Sequence, residues 1–136
     1  MNDPEFQQKR NLSIDYDALV RHFGGDQKIV EEICHCFLEE MPEKIQNFQT
    51  ALKKEDKNEL SRQAHALKGV SAHMRAPVIH RLSGGLEEAC KSDDDWARLQ
   101  ALYANLEQEI ENLIEIMKHP SFHSPAIGKY QKTQSP

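Results

Sequence analysis

The sequence predicts an all-α fold, an antiparallel up-and-down four-helix bundle with a short additional helix on its N-terminal side. Apolar residues recur every three or four positions through four successive segments, the signature of one-sided helices. Nowhere do apolar and polar residues alternate as they would in a half-buried strand. The connections between the segments are short, which makes successive helices antiparallel neighbours.

Taken in order, Asp15 is a suitable N-cap for the short helix that carries Ala18, Leu19 and Phe23, and Gly24-Gly25 stops it. Asp26 caps the next, with Val30, Ile33, Phe37, Met41, Ile45, Phe48 and Leu52 on one face. Pro42 lies inside it and predicts a kink or short break near Met41. After a polar turn over Lys53–Asn58, the stripe resumes at Leu60, Ala64, Leu67, Ser71 and Met74. Ala76-Pro77 ends that helix and begins another, because the residue before proline avoids the helical region while proline suits a first turn. Val78, Leu82 and Leu86 mark this helix to about Lys91, across Gly84-Gly85. Ser92, Asp93 and Asp94 offer the next cap. Trp96, Leu99, Tyr103, Leu106, Ile110, Leu113 and Met117 form the last stripe.

At 136 residues the chain suits one domain with a single core. Residues 1–13 read as a disordered leader, with Asp3-Pro4-Glu5-Phe6 resembling a vector remnant; 119–136, with three prolines, read as a flexible tail. The folded unit is therefore expected at 14–118. A net charge of -5 and no basic tract argue against a nucleic-acid partner. No apolar run is long enough to insert in a membrane. Cys34, Cys36 and Cys90 include no CxxC pair and leave at least one thiol unpaired, which suits the reducing cytoplasm.

The informative stretch is Gln63-Ala64-His65-Ala66-Leu67-Lys68-Gly69-Val70-Ser71-Ala72. At about 100° per residue, His65 falls roughly 140° from the centre of the buried stripe, on the solvent side. Ser61, Lys68, Gly69 and Ala72 share its face, and three of these four are small, as close approach by another protein requires. Lys68, at i+3, can set an ammonium beside anything attached to the ring. Ten residues run from His65 to Arg75 and ten from Pro77 to Glu87. Each arm rises roughly 15 Å, so a hairpin returns Glu87 to the level of His65. A carboxylate there can take the Nδ1 proton and leave Nε2 as the nucleophile. His65 is thus the candidate nucleophile, Glu87 its orienter and Lys68 the counter-charge for an arriving phosphoryl group. No glycine-rich phosphate loop accompanies them, so nothing here binds a nucleotide.

His65-Ala66-Leu67-Lys68-Gly69, the small residues after it, and Leu82 followed by Leu86-Glu87 resemble the histidine-containing phosphotransfer (HPt) domains of two-component phosphorelays. The Phe37…Met41-Pro42…Ile45…Phe48…Leu52 pattern is similar to that family's second helix. The resemblance implies a four-helix bundle and a phosphoryl carrier with no kinase activity of its own. It implies that His65 takes phosphate from a receiver aspartate and passes it to another. The partners implied are response-regulator receiver domains or a hybrid sensor histidine kinase, met by a monomer. It also implies no bound cofactor or metal, with Mg²⁺ residing in the receiver. His73 and Arg75 depart from the family's usual Asn and Gly, and Arg75 stands where a glycine helps end the helix.

Two other classes remain in view. Glu32-Ile33-Cys34-His35 has the Glu-x-x-His spacing of di-iron bundles, but those need two such pairs and two further glutamates. Cys34-His35-Cys36 points its side chains in different directions on a helix, a poor zinc site. A helical adaptor that docks partners without chemistry would show itself if His65 proved dispensable.

Overall fold

A computed structural model describes residues 3–124, and among them every regular element is a helix. The helices are α1 (Pro4–Ser13), α2 (Tyr16–His22), α3 (Gln27–Lys53), α4 (Lys57–His73), α5 (Pro77–Lys91) and α6 (Trp96–Lys118). α3 packs on α4, α4 on α5 and α5 on α6, and α3 closes against α6. The four long helices surround one core, with Phe37, Met41, Phe48, Leu60, Leu86 and Leu106 at its centre.

Caps set the boundaries. The carboxylates of Asp15, Asp26 and Asp56 accept from backbone N–H groups in the first turns of α2, α3 and α4. Asp95 does this for α6, one residue beyond the expected group. α5 has no side-chain cap and starts on Pro77, whose missing N–H is one the first turn leaves unpaired anyway. α3 runs through Pro42 without a break. Trp96 is half-buried rather than core, and Ile116 takes a core place instead.

Three helices end as α2 does at Gly24-Gly25. The N–H of Asp56 bonds back to Ala51, that of Ala76 to Ser71, and that of Asp94 to Ala89, each closing a Schellman turn. The residue before each, Glu55, Arg75 and Asp93, sits at φ of 52°, 57° and 59°, in the left-handed region that favours glycine. Arg75 therefore keeps the turn that a glycine would make. Its carbonyl also accepts from the N–H of Asp15 at 2.8 Å and ties α2 to the α4–α5 turn.

The leader and tail expectations need correcting over the described residues. Residues 4–13 form α1, started by Asp3, whose carboxylate accepts from Phe6 N–H, and by Pro4. Arg10 is fully buried, and its Nη1 donates to the carbonyls of Phe122 and Ser124, each at 2.7 Å. Its guanidinium stands 4.5 Å over the Tyr16 ring, and Phe6 stacks on His119 at 3.8 Å. Phe122 is buried, so at least residues 119–124 are docked by these contacts; the remainder of the expected tail, 125–136, lies outside the described residues.

Candidate functional site

The site is built on the α4–α5 hairpin. The stripe of Leu60, Ala64, Leu67 and Ser71 turns one face of α4 inward and leaves His65, Gly69 and Ala72 exposed. Ser61 and Lys68 are half-buried at the edge of that face. Glu87 projects from α5, and its side chain is 8% exposed against 74% for His65.

His65 Nδ1 and Glu87 Oε2 lie 2.9 Å apart. An ionised carboxylate can only accept, so Nδ1 carries a proton, and in the neutral ring Nε2 then holds the lone pair. Lys91, one turn beyond Glu87, approaches the same oxygen at 3.3 Å. Burial works against ionisation of Glu87, but the hydrogen bonds and charges of Lys91 and His65 outweigh it and hold the carboxyl below its ordinary range. The result is an anion fixed by two cationic or donor groups at a helix–helix seam.

Lys68 is held at its backbone and along its stem. Its carbonyl accepts from Ser71 Oγ at 2.9 Å and from His80 Nδ1–H at 3.0 Å. Its Cδ and Cε lie where a side chain on Gly84 would begin, 3.7 Å from that position. Its ammonium has no carboxylate within salt-bridge reach among the described residues. A Cβ on Gly69 would meet nothing within 4 Å, so the surface beside His65 is open.

Lys91, His80 and Gly84 were not anticipated. Lys91 carried a readable signal, since it stands four residues after Glu87 on one helix face. His80 and Gly84 carried none, because their contacts depend on how α5 lies against α4. The other candidate ligands do not gather: Glu32, His35 and Cys36 are exposed on α3, and His35 pairs with Glu39 at 3.4 Å. Burial, helped by Glu31, pushes the Cys34 thiol up to about 12. Among the described residues no group of three or more His, Cys, Asp or Glu is placed to hold a metal ion.

The family model of the Hpt domain matches residues 32–116, which take in the site and most of the four long helices. The chain belongs to the Hpt domain family. A histidine phosphotransfer carrier role goes with that membership. This Hpt domain is 21% identical over 103 residues to the phosphorelay intermediate protein rdeA of Dictyostelium discoideum, covering 76% of this chain. It spans only 40% of that relative's length. Its fold is similar to the Hpt domain of a sensor hybrid histidine kinase from Shewanella, with a TM-score of 0.72 at 22% identity. That match covers 85% of this chain and 98% of the other. No helix among the described residues is long and apolar enough to cross a membrane.

Proposed function

We propose that this Hpt domain carries a phosphoryl group on Nε2 of His65, between receiver-domain aspartates of a multistep phosphorelay. The observation that carries this reading is the asymmetry of the imidazole, anchored through Nδ1–H to buried Glu87 and open to solvent at Nε2. In the forward step the Nε2 lone pair attacks phosphorus. The P–Nε2 bond forms as the acyl P–O bond breaks, and the aspartate leaves as carboxylate. No proton has to leave Nε2, because the ring's single proton stays on Nδ1 and its growing positive charge faces Glu87. Lys68 meets the charge that develops on the phosphoryl oxygens, and the small surface of Gly69 and Ala72, with Ser61 at its edge, lets the receiver approach. Returning the group to a second aspartate is the same step reversed.

In this reading the chain acts as a monomer in the cytoplasm, its partners are receivers or a hybrid sensor kinase, and Mg²⁺ serves the receiver's aspartate site. The test is incubation with a phosphorylated receiver and Mg²⁺. The expected product is one acid-labile, base-stable phosphate on His65, found by mass spectrometry. Phosphate elsewhere, or none with every receiver that accepts phosphate from its own kinase, overturns the assignment.

A further inference from the structure

The 2.9 Å contact between His65 and Glu87 fixes the register of α5 on α4. The two helices run antiparallel, so three residues on from His65 meets three residues back from Glu87, which sets Lys68 against Gly84. That pairing is present: the place of a Cβ on Gly84 lies 3.7 Å from both Cδ and Cε of Lys68. One turn earlier on α5, His80 Nδ1 lies 3.0 Å from the Lys68 carbonyl. A carbonyl only accepts, so this nitrogen carries a proton and donates it. His80, Gly84 and Glu87 thus follow one another along the face of α5 that packs on α4. The first holds the backbone of Lys68, the second borders its stem, and the third holds the ring of His65. A lysine side chain in water samples many rotamers, and ordering it costs entropy. The half-buried stem of Lys68 instead runs past the one residue type that leaves it room, at a position where glycine weakens a helix relative to alanine.

We propose that His80 and Gly84 are positioning residues for Lys68, holding its backbone and its stem so that the ammonium stays beside a phosphoryl group on His65. The proposal rests on the carrier reading and names the residues that make Lys68 effective in it. A side chain longer than a methyl at position 84 competes with the Lys68 stem for the same space and turns the ammonium away. An alanine there does so far less, because 3.7 Å is ordinary van der Waals contact. The hydrogen bond from His80 acts at the other end of the residue, tying the turn of α4 that bears Lys68 to α5. A charge already in place stabilises a transition state better than one that must be ordered as the reaction proceeds. Loss of either hold therefore belongs to the chemical step rather than to donor binding. Neither contact sets the ring of His65, which Glu87 anchors.

Phosphoramidate, a small donor, tests this on the full chain without a docking partner: its P–N bond breaks, ammonia leaves, and phosphorus bonds to Nε2 of His65. Lys68→Ala should lower the saturating rate about tenfold. Gly84→Leu should lower it roughly fivefold, and Gly84→Ala by much less. His80→Ala should lower it about threefold, with little change in KM. His80→Asn, whose side-chain amide can donate from the place of Nδ1, should recover most of that loss. In a Lys68→Ala background, Gly84→Leu and His80→Ala should each change the rate by less than about twofold, because the group they position is gone. A merely structural loss would persist there. Equal rates for the wild type and Lys68→Ala, or losses that multiply in the double variants, overturn the proposal and leave the carrier reading standing. If Gly84→Leu does not fold by circular dichroism, the His80 variants decide alone. A wild-type chain that takes no phosphate on His65, from phosphoramidate or from any phosphorylated receiver, removes the carrier reading and this proposal with it.

Discussion

The α4–α5 hairpin and the clasp formed by α1 with residues 119–124 each hold a charged group, and they hold it in opposite ways. At the hairpin, buried Glu87 grips one nitrogen of an exposed ring and leaves the other in water. At the clasp, Arg10 is wholly enclosed, its Nη1 on two carbonyls and its guanidinium over Tyr16. Anchoring one side of a group leaves the other side accessible, whereas enclosing the whole of it converts its charge into structure. The two regions should therefore fail differently when altered.

The largest effect belongs to the hairpin. His65→Gln should abolish phosphoryl acceptance and shift stability by no more than about 0.5 kcal/mol, as expected for an exposed side chain. Phosphate accumulating on the variant at the wild-type rate would show the ring to be idle. Arg10→Met should do the reverse. It leaves the carbonyls of Phe122 and Ser124 without their donor and should cost about 2–3 kcal/mol in urea denaturation. Its phosphotransfer rate at 20 °C should be unaltered, and a proportionate slowing would mean that the two regions are coupled.

Smaller effects sharpen the contrast. Gly69→Gln places a long side chain on open surface beside His65, so stability should hold or rise by roughly the few tenths of a kcal/mol that helix propensity adds. Transfer from a receiver should nevertheless slow by more than about tenfold, or 1.4 kcal/mol. Normal transfer would move the docking surface elsewhere. Glu87→Ala frees the ring and its tautomer and should slow transfer about tenfold. Because Glu87 is held below its ordinary 4.5, its grip is complete above that pH and fades as pH falls through the lower folded-state value. The transfer rate between pH 5 and 8 should therefore show no inflection that disappears in Glu87→Gln. Least of all, Arg75→Gly relieves a left-handed residue and should raise stability by up to about 1 kcal/mol, offset in part by the lost contact with His22.

The same contrast explains what the sequence could reveal. The facing of His65 and Glu87 follows from local periodicity and one short turn, so counting residues sufficed to bring them to one level. The caps at Asp15 and Asp26 are equally local. α1 carried a local signal too, in Asp3 followed by Pro4, but its apolar content is so low that the segment read as a leader. What buries Arg10 lies 112 and 114 residues away, and no window of sequence holds both partners. Pro42 does not break α3, which runs on through it. A missing N–H costs one hydrogen bond, and Met41 and Phe48, buried on either side of it, hold the helix to the core.

The grip of Arg10 on Phe122 and Ser124 also fixes how the molecule would answer a mechanical pull. Residues near the two ends of the described chain are joined across the clasp, so tension applied between them passes first through the two Arg10 hydrogen bonds and the Phe6–His119 stack. Those contacts must give way before the force reaches α4 and α5. Under stretching, the clasp should behave as a fuse, parting at low force while the helices that hold His65 keep their geometry.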